Sequence, residues 1–435
     1  MCYYPFIMQR IFAFIRREAV FCIAALCALV SAFFVPPTAA YLSYIDWDTL
    51  FILFSLMAVI AALRDCGVFD RMAYVLCGHI HQLRLLCAVL VLLCFGTSML
   101  ITNDVALLTF VPFTLALLGA AASGRVVLRT VVLETVAANM GSMLTPLGNP
   151  QNLFLFSKMG IGIGRFMLII LPYSAVSLGL LCLSLRLIPR IHLSVSSVPA
   201  APADPAPRSA ATNGSVAPDG SAAADPRVTS AAGVIPGGAG QRPPHGMQPR
   251  MAGLPQSVQL TVYAVLFVLC LLCVLRLVPK WIAAVAVSGS LLCLNRKVLK
   301  SVDYMLLLTF AAFFVFTGNM AALPSVRAFL ENAVSGHEFA VSLLCSQVIS
   351  NVPATLLLYP FAQDVSPLLV GVNVGGLGSL VASLASLISF KLYAGARKRL
   401  SLPSAGRYLA AFTLANVLFL VVLCGLFFCL RFFAR

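Results

Sequence analysis

Two asparagines sit in matching surroundings. Asn103 lies in Thr102-Asn103-Asp104 and Asn351 in Ser350-Asn351-Val352-Pro353, each between two short apolar arms. A second polar interruption follows each of them. In the first half it is Thr145-Pro146-Leu147-Gly148-Asn149-Pro150-Gln151-Asn152; in the second it covers 379–386 and holds Ser379, Ser383 and Ser386. Asn139 and Asn373 stand just before these second interruptions, in Ala138-Asn139-Met140-Gly141 and Val372-Asn373-Val374-Gly375. A side-chain amide presents an oxygen to a cation and N–H groups to an anion, and a hydroxyl can do either. Neutral groups of this kind suit the binding and release of a small ion. Two acids add a titratable element, Asp104 beside the first asparagine and Glu134 midway along an apolar stretch.

Each of these residues also has a plainer use. An asparagine at a helix start can serve as a cap, which fits Asn103 and Asn351 as well as ion binding does. Asn139 and Asn373 can join neighbouring helices inside a membrane. Asp104 is placed to bind sodium, carry a proton or cap the arm that follows it. Glu134 is a candidate proton carrier and is also five residues from Arg129, within reach of a pair. Asp48 and Asp303 correspond between the halves and both begin apolar runs, so helix capping is their expected role. Pro146, Pro150 and Pro353 end helices by removing backbone donors.

The elements that carry these residues are set by composition. Of 435 residues, 61% are hydrophobic and 10% charged. Soluble domains average roughly 45–50% apolar and about 25% charged. So much apolar side chain has to face lipid, and several runs reach the ~20 residues that span a bilayer. The chain is therefore expected to be an all-α polytopic membrane protein. A polar break at membrane depth is tolerated only where it lines a cavity or is buried in protein. Four breaks, 102–104, 145–152, 350–353 and 379–386, give each half one re-entrant hairpin and one interrupted helix. Secondary transporters are built this way, with half-helix amino termini facing an anion and unwound carbonyls holding a cation.

The organisation follows from the same pattern. Residues 1–190 form a first membrane repeat and 257–435 a second. Between them, 191–256 is rich in Ala, Pro, Gly and Ser and lacks the apolar periodicity of the flanks, so it reads as a disordered cytoplasmic linker. The formal charge is +15, from 29 Lys+Arg against 14 Asp+Glu. In a membrane protein such an excess reports orientation. If each hairpin returns to its own side, most of the basic residues fall on the face that carries the amino terminus and the linker. That face is then cytoplasmic and the carboxyl terminus lies outside. The first hairpin opens inward and the second outward, which makes the repeats inverted.

Other classes find little support. No module combining aromatic and basic residues points to nucleic acid. The 14 cysteines lie mostly within apolar runs, as small buried hydrophobes do. Cys270-Leu-Leu-Cys273 has no second such pair to complete a metal site. His79 and His81 point about 200° apart on a helix, so they do not form a metal pair. No His, Asp, Glu or Cys cluster suggests an enzyme, and no cofactor is expected beyond sodium or a proton as coupling ion.

The motifs resemble those of the ion transporter superfamily, which includes arsenite efflux permeases, citrate carriers and divalent-anion/sodium symporters. The resemblance is carried by Asn103-Asp-Val-Ala-Leu-Leu-Thr-Phe-Val-Pro112, by Asn139-Met-Gly-Ser-Met-Leu-Thr-Pro-Leu-Gly-Asn-Pro-Gln-Asn152 and by Ser350-Asn-Val-Pro-Ala-Thr355. The Asn-Asp tip is most similar to the arsenite-permease and bacterial sodium/proton antiporter branch. Both tips depart from the Ser-Asn-Thr type of the dicarboxylate branch. The resemblance implies a homodimer with scaffold and transport domains, elevator-like motion and a small anion, an inorganic oxyanion or a carboxylate, as substrate. A sodium/proton antiporter using Asp104 is the alternative. The expected site comprises Thr102, Asn103, Asp104, Asn139, Thr145, Asn149, Asn152, Ser350, Asn351, Asn373, Ser379 and Ser383, with sodium at Asn103, Asp104 and Asn351.

Overall fold

The apolar runs form helices because a backbone in lipid has to satisfy its own hydrogen bonds. A computed structural model describes residues 8, 10, 14, 18–77, 80–192 and 255–433. The linker expected over 191–256 falls almost wholly outside the described residues, as do most of residues 1–17 and His79. Before the first hairpin come α1 (Ala19–Phe34), α2 (Ala40–Tyr44), α3 (Trp47–Asp65) and α4 (Val68–Cys77). The first repeat continues with α5 (Leu83–Ile101), α6 (Asn103–Ala121), α7 (Gly124–Ser142), α8 (Pro150–Met159) and α9 (Ile163–Leu185). The second half opens with α10 (Gln256–Val274), α11 (Lys280–Leu294), α12 (Arg296–Leu299), α13 (Tyr304–Ala322) and α14 (Pro324–Val334). It ends with α15 (Glu338–Ile349), α16 (Asn351–Leu358), α17 (Val365–Val374), α18 (Leu384–Ala396) and α19 (Ala405–Phe433).

Six of these helices, α3, α5, α9, α10, α13 and α19, are long and apolar enough to cross a bilayer. Large apolar side chains also cover the outside: Phe33 is 87% exposed, and Val348 and Leu414 are each 74% exposed. A surface of this kind is stable against lipid and not against water.

The same plan occurs twice. In the first half α5 and α6 meet at Thr102, and α7 packs along α5. In the second half α15 and α16 meet at Ser350, and α17 packs along α15. A glycine permits the close approach in each case. A Cβ at Gly141 would stand 2.1 Å from the Phe95 carbonyl oxygen; one at Gly375 would stand 2.9 Å from Ser346 Cβ and 3.0 Å from Leu343 Cα. Phe95 and Leu343 each lie seven residues before their hairpin tip, so the two contacts are equivalent.

Several boundaries differ from the sequence expectation. The residue matching Asp303 is Asp46, not Asp48. Asp46 accepts from the Thr49 N–H and Asp303 from the Leu306 N–H, with φ/ψ of −80°/85° and −79°/82°. Asp48 instead lies in the first turn, 3.4 Å from Lys280. The second-half break spans 375–383, so Ser386 belongs to α18, and in the first half Gln151 and Asn152 belong to α8. Both tips are single-residue breaks, which puts Asn103, Asp104 and Asn351 in the first turns of their helices. Glu134 does not pair with Arg129, whose guanidinium reaches the Leu187 carbonyl at 3.3 Å.

Candidate functional site

Each hairpin tip is held in a backbone shape that side chains resist. Thr102 has φ/ψ 73°/151° and Ser350 74°/155°. That region is essentially reserved for glycine and costs about 1–3 kcal/mol per residue unless its surroundings enforce it. Here the enforcement is visible and matched. The Asn103 N–H donates to the Gly148 carbonyl at 3.2 Å, and the Asn351 N–H to the Ala382 carbonyl at 3.0 Å. Each tip is thus tied to the second break of its own repeat.

The two repeats also exchange side chains. Asn139 Oδ1 accepts from Asn103 Nδ2 and from Ser383 Oγ, both at 3.0 Å, while Asn139 Nδ2 donates to Ser386 Oγ at 3.2 Å. In the mirror position Asn373 Nδ2 donates to Asn152 Oδ1 at 2.7 Å. Ser386 and Asn152 are each the third residue of the half-helix that follows a break. Each second-break asparagine therefore reaches the same turn of the opposite repeat. The amino termini of α6, α8, α16 and α18 are drawn toward one crossing by these bonds.

The remaining expected residues take distinct places. Thr145 donates to the Met99 carbonyl and accepts from the Gly148 N–H. Asn152 Nδ2 collects the carbonyls of Ser142, Met143 and Thr145 at the frayed end of α7. Asn149 Nδ2 donates to Ser142 Oγ at 2.9 Å. Asn351 lies against Gly376, and its amide takes only a long contact, 3.5 Å, from Ser350 Oγ. Ser379 binds Gln347 through its N–H and its hydroxyl. The Asp104 N–H donates to Asn103 Oδ1, so the two are joined by backbone and not through the Asp104 carboxylate. Glu134 stands five residues back from Asn139 along α7.

Two residues belong to this region that were not singled out in the sequence. Gln347, on the first arm of the second hairpin, donates to the Gly375 and Leu377 carbonyls at 2.7 and 2.8 Å and accepts from the Ser379 N–H at 2.9 Å. Gln151 is 1% exposed, and neither atom of its amide has a partner. Asn149 Oδ1 and Asn373 Oδ1 are likewise buried without partners. Native proteins rarely leave such groups unsatisfied except where they have a task. Among the described residues no Lys, Arg or His is buried.

A family model described as citrate transporter matches residues 3–388. The chain belongs to that family. It is 27% identical over 380 residues to an uncharacterized transporter of Methanocaldococcus jannaschii, covering 87% of this chain and 88% of that protein. It is 29% identical over 366 residues to the inner membrane protein YbiR of Escherichia coli, covering 83% and 84%. A shorter similarity, 34% over 143 residues, is to the silicon efflux transporter LSI3 of Oryza sativa subsp. japonica, covering 32% of this chain and 28% of that protein. This family member is a multi-pass membrane transporter and not an enzyme. Its crossed breaks accordingly lie in a protein that moves a solute.

Proposed function

We propose that this transporter carries a small anion, an inorganic oxyanion or a carboxylate, bound where the four half-helix amino termini meet. One observation carries the reading: two repeats interlock their breaks through Asn139 and Asn373 in a region with buried amides and hydroxyls but no buried basic side chain. Helix amino termini offer partial positive charge and N–H groups to an anion. They release it more readily than an arginine clamp would, since a charged pair taken out of water is costly to break. The family description names citrate, a small carboxylate.

Transport is driven by a sodium or proton gradient, with Asn103, Asp104 and Asn351 as the sodium-binding candidates at the tips. The repeats lie inverted in the membrane, with the amino terminus and linker in the cytoplasm. The protein works as a homodimer whose transport half moves against a scaffold in an elevator-like step.

The test uses purified full-length protein in liposomes. Citrate, phosphate and sulfate are offered in turn under imposed sodium or pH gradients. Accumulation of at least one, abolished when the gradient is collapsed, is the expected result. Sodium–proton exchange in the absence of every anion would overturn the reading.

A further inference from the structure

Glu134 is a carboxyl that the repeated plan does not require. It is 0% exposed on α7. In the register that pairs Asn139 with Asn373, its counterpart is Leu368, also 0% exposed. The fold thus fills this position with an apolar side chain in one repeat and with an acid in the other.

The surroundings of the acid lack a counter-charge. Glu134 Oε1 accepts from the Thr114 hydroxyl on α6, and Oε2 has no partner. From α4 the facing titratable group is Cys77, from α5 they are Cys87 and Cys94, and from α19 it is Tyr408. From α18 comes the Ser389 hydroxyl, which bonds Thr135 at 2.6 Å and Tyr408 at 3.1 Å. On α9 the buried titratable group is Tyr173, α17 contributes none, and α6 carries only Asp104, ten residues from Thr114. None of these groups is cationic. A carboxylate with one hydrogen bond and no cation is expensive in such a place, whereas the neutral acid is not.

The position also connects to the site. Five helical residues rise about 7.5 Å, which places Glu134 just over one turn from Asn139. Beside it, Thr135 meets Ser389, three residues along α18 from the Ser386 that binds Asn139.

We propose that Glu134 binds the proton that couples transport: the carboxylate takes up a proton on one side of the membrane, holds it as the neutral acid in the conformation described here, and releases it on the other. The transport arm of its test rests on the anion reading above; the spectroscopic arm does not.

The experiment compares wild type, Glu134→Gln and Thr114→Val. Infrared difference spectra of the purified protein in nanodiscs are recorded across a pH series. A band from a protonated carboxyl is expected in wild type, absent in Glu134→Gln and shifted in its pH dependence in Thr114→Val. In liposomes loaded with the anion panel, Glu134→Gln is expected to lose pH-gradient-driven accumulation at least tenfold, with a far smaller fall in exchange at equal pH. A carboxyl band untouched by Glu134→Gln, or accumulation by that variant at the wild-type level, would overturn the proposal. If Glu134→Gln fails to fold, the band in wild type and its shift in Thr114→Val decide the question. If wild type moves none of the panel, the anion reading falls while the infrared result still decides Glu134.

Discussion

The break between α7 and α8 and the break between α17 and α18 reach the same geometry by different means. Both lead into a half-helix from an extended residue, Asn149 at φ/ψ −147°/145° and Ser383 at −140°/129°. Both receive the N–H of their hairpin tip. In the first break the freed carbonyls are gathered from the half-helix that follows, by Asn152. In the second they are gathered from the hairpin, by Gln347. The hairpin residue matching Gln347 is Met99, which contributes only its backbone carbonyl to Thr145. What the repeats share is therefore the backbone shape and the obligation to satisfy it. The side chains that do so are free to differ, and the site inherits that asymmetry.

The largest effect is expected at the crossing bonds, where the repeats differ in number of partners. Asn139→Leu strands the Asn103 amide, Ser383 and Ser386, whereas Asn373→Leu strands Asn152 Oδ1 alone. Each buried group left unpaired costs about 1–3 kcal/mol. Liposome uptake should fall on the order of a hundredfold or more for Asn139→Leu and roughly tenfold for Asn373→Leu, at one cost unit per decade. Equal losses would mean that the crossing is functionally symmetric despite its unequal bonds.

A smaller effect is expected at Gln151. It is the second residue of α8, and the second residue of α18 is Ala385. With no protein partner for either amide atom, Gln151 contributes no bond that Gln151→Ala could remove. Thermal stability in detergent should hold or rise slightly, while KM for the transported anion rises about five- to tenfold, the loss of one hydrogen bond to a solute. A marked drop in stability with unchanged KM would show that Gln151 packs the break and does not face the solute.

Much of this arrangement was legible in the sequence because amides and prolines are conspicuous in apolar runs. Asn103, Asn351, Asn139 and Asn373 stood out by their matching order and surroundings in the two halves, although Asn103 and Asn139 are 36 residues apart and Asn351 and Asn373 are 22 apart. The edges were less legible, for local reasons. Ser386 resembles loop sequence, yet a serine fits the third position of a half-helix and finds Asn139 there. Asp46 and Asp48 are two residues apart, and only Thr49, whose N–H and hydroxyl both bond Asp46, decides which one caps. Gln347 gave no signal. It is one polar residue in an apolar arm, and its function depends on a backbone segment some thirty residues later folding against it.

The smallest effect separates the two capping aspartates. Asp46 is bound by Lys158 at 2.7 Å, while Asp303, with the same cap geometry, forms no ion pair among the described residues. Burial works against the Asp46 charge, but the Lys158 ammonium and the Thr49 N–H and hydroxyl outweigh it and hold the carboxyl below its ordinary value of 3.8. A carboxylate depressed in the folded state adds stability that is complete above its unfolded value and is lost as pH falls through the folded one. Because Lys158 is partly exposed, the pair is worth little. Lys158→Gln should lower the apparent Tm at neutral pH by at most about 2 °C. The gap from wild type should close on acidification below the ordinary aspartate range, where Asp46 is neutral in both proteins. At Asp303, where no lysine stands opposite among the described residues, Asp303→Ala should remove the helix cap alone. A Lys158→Gln difference that persists unchanged in acid would show that Lys158 acts by covering Phe154, 5.9 Å from its ammonium, and not through its charge on Asp46.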